Sequence, residues 1–409
     1  MGKKQYTFID LFAGCGGLSE GFVQAGFIPI AHVEMDKDAC NTLRTRCSYH
    51  YLQAKGQLSI YDKYLKGEIT QEALYASVPP SVIDSVINEE ISNDTINMIF
   101  DNIKKLAKDN KIDFIIGGPP CQAFSLLGRH RKEMENDPRT QLYLQYGKFL
   151  KEFSPNGFVF ENVPGLLSAK KGEHFNNIKD YFEELGYIVH YRTLDASDYG
   201  VLQNRHRIII VGWKKDNDLG YPEIETNCPN ATINDILSDL PKLQAGDIKK
   251  VSTYSQPVNA YLRESGIRSE HDLYVTQNIT RPVNKNDAAI YRYAIKLWDT
   301  KHIRVKYTDL PQKLRTQKNE NSFLDRFKVV DGGGYAHTIV AHLAKDGHYY
   351  IHPSLNACRS ISVREAARMQ SFPDNFYFEG SRSAMFKQIG NAVPVLMAKK
   401  IAESIKKIL

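Results

Sequence analysis

The sequence predicts an α/β fold built on a mostly parallel sheet, with a smaller irregular domain attached. Three observations carry this. The run QYTFIDLFAGCGGLSEGFVQAGF, followed by IPIAHVEMD, reads as strand, glycine turn, helix and strand. Apolar runs then alternate with amphipathic ones as far as Gly212, the pattern of strands buried on both faces and joined by helices. After Trp213 the alternation stops, and the segments become short, mixed and polar.

Tyr6 to Leu11 forms the first expected strand, and Gly14, Gly16 and Gly17 the turn after it. Leu18, Phe22 and Ala25 recur at helical spacing, with Gly26 as a helix stop. Residues 51 to 92 are polar and irregular, with helical stretches. NDTINMIFDNIKKLAKDNK places Ile96, Ile99, Phe100, Ile103, Leu106 and Ala107 on one face, with Asn93 or Asp94 as cap, and predicts an amphipathic helix leading into the strand IDFII. A further buried strand ends at Glu161, a helix over FNNIKDYFEELGY closes at Gly186, and a strand runs from Ile208 to Gly212. Beyond Trp213, HTIVAHLAKDGHYYIHP carries an Asp-Gly pair between two strand-like runs, a hairpin signal. SVREAARMQSFPDNF predicts a helix ending near Ser371, and the chain finishes in an amphipathic helix.

The length of 409 residues exceeds what one compact core usually holds and predicts two domains. No apolar run is long enough to span a membrane, and the short apolar start leads straight into a glycine turn, so it reads as a strand and not a signal peptide. Cys15, Cys40, Cys47, Cys121, Cys228 and Cys358 are scattered without a C-x-x-C pair, which argues for a reducing, intracellular setting over a disulfide framework or zinc ribbon. The net charge of +6 agrees with an anionic partner without naming one. Residues 301 to 328 hold eight Lys or Arg against three Asp or Glu.

Several residues carry candidate chemistry. Gly14-Cys15-Gly16 gives G-x-G, but Ser19 stands where a third glycine would complete a dinucleotide fingerprint. Glu34 lies 20 residues after Gly14 at the end of the second strand, where a carboxylate receives ribose hydroxyls, so a nucleoside cofactor is expected. Cys121 follows Pro119-Pro120 at the carboxyl end of a strand, where ligands bind in open α/β sheets. It reads either as core filler or as a nucleophile, which would need nearby cations or a helix N-terminus to ionise. Glu161 ends the next strand, and in an apolar pocket would hold and donate a proton. Alternation sends Gln203, Arg205 and Arg207 to one face, which demands carboxylate or phosphate partners unless it is a solvated edge. His337, His342, His348 and His352 match no standard zinc spacing, and no metal is expected. Arg129, His130, Arg131 and Lys132 would hold phosphates if Cys121 is a nucleophile.

Order and spacing decide among these readings. DLFAGCGG, GGPPCQAFS, FENVPGLL, DYGVLQNRHRIIIVG, REAARMQSFPDNF and QIGNAVPV occur in series, and the chain resembles the bacterial-type DNA (cytosine-5)-methyltransferase family over residues 5 to 212 and about 334 to 409. The resemblance implies a Rossmann-like, S-adenosyl-L-methionine-dependent catalytic domain over residues 1 to 212, a target-recognition domain over 213 to 380 across a DNA-binding cleft, and a segment 381 to 409 completing the first. It implies that Cys121 attacks C6 of a flipped cytosine, that Glu161 contacts N3, and that Gln203, Arg205 and Arg207 support the base and its loop. Phe12, Gly14, Gly16, Gly17, Glu34, Met35 and Asn391 would hold the cofactor. Its expected partner is double-stranded DNA, met by a monomeric cytoplasmic protein beside a separately acting restriction endonuclease. Met35 replaces a common aromatic, and Glu90 is the best match for an adenine-binding acid. Glu34 and Cys121 lie 87 positions apart, which implies an insertion within residues 51 to 92. The alternatives are an RNA cytosine-5 methyltransferase on the same scaffold and a catalytically inactive DNA-binding relative. Ser125 to Lys132 would close over the DNA as a loop, and Thr338 would belong to the end of the recognition segment.

Overall fold

A computed structural model describes residues 5–120, 142–315 and 324–409. Its main sheet has seven strands in the order β3-β2-β1-β4-β5-β8-β6. These are β1 (Thr7–Leu11), β2 (Ile28–Glu34), β3 (Val86–Asn88), β4 (Phe114–Gly117), β5 (Gly157–Asn162), β6 (Tyr187–Asp195) and β8 (His206–Lys214). The first five run parallel, and only β8 is antiparallel to its neighbours β5 and β6. The sheet is buried on both faces, which is why its strands read as continuous apolar runs.

Alternation splits those runs between two cores. Ile9, Leu11, Ile115, Phe158, Phe160, Ile208 and Ile210 face α6 (Ile96–Ala107), α7 (Leu142–Phe153) and α9 (Glu173–Glu184). Phe8, Phe114, Ile116, Val159, Ile209 and Val211 face α1 (Gly17–Gln24) and the C-terminal α15 (Val395–Ile408). The last helix meets the first so closely that a Cβ on Gly21 would lie 2.4 Å from the Lys399 nitrogen. The amphipathic helix α6 buries the expected face except for half-buried Leu106, but it starts after Thr95, so neither Asn93 nor Asp94 is its cap. Thr95 and Ser92 bond each other there, and the helix begins one or two residues later than expected.

The polar stretch after α2 (Lys37–Ala54) is helical: α3 (Leu58–Leu65), α4 (Gln71–Ala76) and α5 (Pro80–Asp84) precede β3. Tyr49, Leu52, Tyr61, Leu65, Leu74 and Val78 give it a small core of its own. Tyrosine hydroxyls link it to the later part of the chain, two reaching out and one reaching back. Tyr61 Oη donates to the Asn375 carbonyl at 2.9 Å, Tyr64 Oη to Glu379 at 2.6 Å, and Tyr274 Oη to Asp62 at 2.8 Å. The segment therefore braces the sheet-bearing part against residues 274 to 379.

Beyond Lys214 come the two-stranded sheet of β9 (Ile248–Thr253) and β10 (Tyr274–Ile279), and the helices α10 (Ile233–Leu237), α11 (Ala260–Glu264), α12 (Lys285–Lys301), α13 (Val363–Met369) and α14 (Arg382–Asn391). Here a short β7 (Gln203–Asn204) pairs in parallel with β11 (Ala336–His337). The expected hairpin across Asp346-Gly347 is not formed; two 3₁₀ turns stand in its place. The Asp346 side chain accepts from the His348 N–H at 2.9 Å and starts a 3₁₀ turn, and Gly347 lies against Ser360, where a Cβ would come within 2.8 Å of the hydroxyl. Buried ion pairs tie this part together: Arg368 with Asp239 and Asp374, and Arg359 with Glu365. Burial pushes the Glu365 carboxyl up, but the Arg359 and His352 charges together with hydrogen bonds from Arg359 and the Ser362 N–H outweigh it and hold the pKa down at about 2. Among the described residues no helix is long and apolar enough to cross a membrane.

Candidate active site

The carboxyl ends of β1, β2, β4 and β5 form one edge of the sheet, and the candidate residues gather there. β1 leaves the sheet through left-handed Phe12 (φ 55°), Gly14 (φ 56°) and Gly16 (φ 87°), a backbone path that glycine adopts without strain. The Gly14 N–H donates to Glu34 Oε2 at 2.8 Å, and the Asp36 N–H to Glu34 Oε1 at 2.8 Å. Asn88, at the end of β3, holds the Glu34 and Met35 carbonyls through Nδ2 at 3.1 and 3.0 Å. Burial raises the Glu34 carboxyl, and the two backbone donors offset part of that rise. The acid at the strand end is thus fastened to the glycine turn, with its oxygens facing the same edge.

Space lies over that turn. Among the described residues a Cβ on Gly14 would meet nothing within 4 Å, whereas one on Gly16 would lie 2.7 Å from Leu43 and one on Gly17 2.4 Å from the Val393 carbonyl. Gly17 is therefore the glycine that admits the C-terminal segment, while Gly14 borders open room. Met35 is 62% exposed beside it. Under the turn, Asp10 is 1% exposed with Oδ2 lacking a hydrogen-bond partner, and its carboxyl is raised well above the usual range by burial and then by Glu34. Sequence reasoning passed over Asp10, which looks like one more position in an apolar strand. An orphaned buried carboxyl, a second carboxylate and an open glycine turn fit a ligand with an ammonium group and ribose hydroxyls, as S-adenosyl-L-methionine has.

The second cluster sits at the ends of β4 and β5. A Cβ on Gly118 would come within 2.5 Å of Glu161 Oε2, so the carboxylate rests against the Gly-Gly-Pro-Pro turn. Asn162 Nδ2 reaches the Pro119 carbonyl at 3.5 Å from the same strand end. Arg207 Nε lies 2.7 Å from Glu161 Oε1, both side chains almost buried. The expected apolar pocket around Glu161 is thus replaced by an ion pair. Cys121 itself, with the basic run Arg129 to Lys132, lies outside the described residues, one position beyond Pro120 where description stops.

Gln203, Arg205 and Arg207 turn inward while Asn204 and His206 are exposed, as alternation predicted; of the three it is Arg207 that bonds Glu161, while both of those charges act on Arg205. The strand breaks at Arg205, whose N–H donates to Asp195 Oδ1 at 2.9 Å and whose carbonyl accepts from Ala196, so the ladder that alternation assumed is interrupted. Arg205 turns inward, 1% exposed, and donates to backbone carbonyls, while Gln203 is fully buried beside it. Thr338 Oγ1 donates to the Asn204 carbonyl at 2.7 Å. Asn391 is exposed at the end of α14, and Glu90 is exposed after β3. The histidines of the later segment have separate partners: His337 donates to the Tyr349 carbonyl, and His348 meets the Tyr291 hydroxyl. Among the described residues no group of three His, Cys, Asp or Glu is placed to hold a metal.

Comparison with known proteins adds to this geometry. The profile of the C-5 cytosine-specific DNA methylase family matches residues 6–81 and 83–407. The Type II methyltransferase M.Bpa9945I of Bacillus paralicheniformis is 40% identical over 440 residues, spanning 98% of each chain. M.DdeI of Desulfomicrobium norvegicum, also a Type II methyltransferase, is 32% identical over 98% of this chain and 88% of its own. A solved structure of a prophage-encoded DNA modification methyltransferase (E. coli) superposes with a TM-score of 0.66 at 24% identity, covering 98% of this chain and 99% of that one, a likeness of fold.

Proposed function

Because this chain belongs to the C-5 cytosine-specific DNA methylase family, we propose that it transfers a methyl group from S-adenosyl-L-methionine to C5 of a cytosine flipped out of duplex DNA, through a covalent bond to Cys121. The contact of Glu161 with Gly118 carries the reading. It sets an acid and its arginine partner against the turn that leads to Cys121, on the same edge as the Glu34 turn.

In this reading the Cys121 thiolate forms a bond to C6. Glu161, taking up a proton from solvent as the base enters, hydrogen-bonds N3 and passes that proton to it as the bond to C6 forms and C5 becomes nucleophilic. Arg207 holds Glu161 in place and presents its remaining donors to the base carbonyl. Glu34 receives the ribose hydroxyls, Asp10 faces the ammonium, Met35 packs on the adenine, and Phe12 and Asn391 border the cofactor. S-adenosyl-L-methionine, when bound, supplies the methyl that C5 takes up. C5 then loses its proton to solvent water, N3 returns its proton to Glu161, the Cys121 sulfur leaves C6 as thiolate, and the ring regains its aromaticity. We read residues 213 to 380 as the target-recognition part, with its basic stretch on phosphates, and a restriction-modification system as the setting.

Bisulfite sequencing of a plasmid treated with the purified protein tests the reaction and yields the target sequence. A duplex carrying 5-fluorocytosine at that target should trap a covalent adduct that Cys121→Ser abolishes. An unmethylated plasmid alongside methylated transfer RNA would replace the DNA reading with the RNA one.

A further inference from the structure

The chemistry above leaves two fully buried side chains unused, and both grip one residue. Gln203 Oε1 accepts from the Ile339 N–H at 2.9 Å, and Arg205 Nη1 donates to the Ile339 carbonyl. The same guanidinium reaches through Nη2 to the Ala392 carbonyl at 2.8 Å and the Gly390 carbonyl at 3.2 Å. Gln370 closes the ring: it accepts from Gln203 Nε2 at 3.0 Å and donates to the Ile389 carbonyl at 2.8 Å. Gly390 is packed so tightly that a Cβ there would lie 2.3 Å from the Val340 carbonyl carbon. Two remote segments, 338–341 and 389–392, are therefore locked to each other by side chains that stand two and four positions before Arg207.

These segments carry different tasks in the proposed function. The first lies within the recognition part, and the second carries Asn391 at the cofactor. Burial and the nearby Arg207 charge oppose the Arg205 guanidinium, Glu161 offsets only part of this, and its hydrogen bonds go to carbonyls; such a buried charge is costly, so neutral packing would serve stability alone at least as well. We propose that Arg205, with Gln203, is a positioning residue that couples DNA engagement at residues 338–341 to cofactor binding at 389–392, an inference that rests on the proposed function. Arg205 never touches the base in this scheme; Arg207 does.

The test measures the affinity of S-adenosylhomocysteine by calorimetry, alone and with saturating duplex carrying the target found by bisulfite sequencing. In the wild-type protein the duplex should tighten binding about tenfold, the size of an ordinary coupling between sites. Arg205→Lys, too short to reach both segments, should bring that ratio close to one, with KM raised for both DNA and cofactor. Gln203→Met should lower the ratio through a neutral side chain, in a protein whose thermal melt shows it folded. Arg207→Ala should keep the ratio while losing turnover. A wild-type ratio of one, or an unchanged ratio in both Arg205→Lys and folded Gln203→Met, would overturn the coupling. Plasmid methylation by the wild-type protein, run in parallel, separates the two ideas: with methylation present and the ratio unchanged the coupling fails alone, and with methylation absent both fall.

Discussion

Arg207 Nε sits 2.7 Å from Glu161 Oε1, and the other oxygen of that carboxylate rests against the backbone of Gly118. One arginine and one glycine thus fix both oxygens of the acid proposed to meet N3. Removing the cation should cost chemistry far more than folding. Arg207→Ala is expected to lower kcat by about a hundredfold to a thousandfold, as loss of an oriented donor does. Single-turnover methylation and a urea melt on the same preparation check this; a kcat within threefold of wild type would remove Arg207 from the mechanism.

Gly118→Ala gives a sharper version of the same idea. The added methyl would need the space 2.5 Å from Glu161 Oε2, and what must yield is the end of a side chain, not backbone. Stability should change little, while the displaced carboxylate should lower kcat by about a hundredfold, the usual effect of misplacing a reacting group by about 1 Å. Equal losses in melting midpoint and turnover would show that Gly118 matters only for folding.

Glu34 has two functions to separate. Its carboxylate accepts from Gly14 and Asp36, and it is the proposed seat of the ribose. Glu34→Gln keeps one acceptor for the turn but loses the charge, so cofactor affinity should fall roughly tenfold to a hundredfold, in line with the loss of charge-assisted bonds. Calorimetry with S-adenosylhomocysteine reads this directly, and an unchanged affinity would place the ribose elsewhere.

Much of this was legible in the sequence because it depends on local pattern. Glu34 and Glu161 show as acids that end apolar runs, and both stand at the carboxyl edge of the sheet. The failures share a physical cause. Alternation put Gln203, Arg205 and Arg207 on one face, and their burial beside exposed Asn204 and His206 agrees, but it gave no sign that Asp195, ten positions back, captures the Arg205 N–H and breaks the strand. The Asp-Gly hairpin signal lost to Asp346 capping a 3₁₀ turn. Asp10 gives no signal at all, since only its tertiary surroundings leave Oδ2 without a partner. The bracing role of residues 51 to 92 depends on contacts such as Tyr64 with Glu379, 315 positions apart, which no local reading reaches.

Acid should loosen this protein through two buried histidines. His32 and His337 are both held down to about 4 by burial, from an ordinary value of 6.5. His32 Nε2 meets the Ser19 hydroxyl at 2.8 Å, His337 Nε2 the Tyr349 carbonyl at 2.6 Å, and each Nδ1 is buried without a partner. In the unfolded chain both rings take up a proton as pH falls through about 6.5, whereas in the folded chain they do so only near 4. The unfolded state therefore binds more protons across that window, and stability falls as pH falls, by on the order of 1–3 kcal/mol per ring. Glu365 continues the trend below, because the unfolded carboxyl protonates near 4.5 and the folded one only at about 2. Urea unfolding followed from pH 7.5 to 5 should show the free energy dropping steadily below about 6.5, with a slope that His337→Gln reduces by about one proton. A flat profile over that range would show that neither ring is held neutral by the fold.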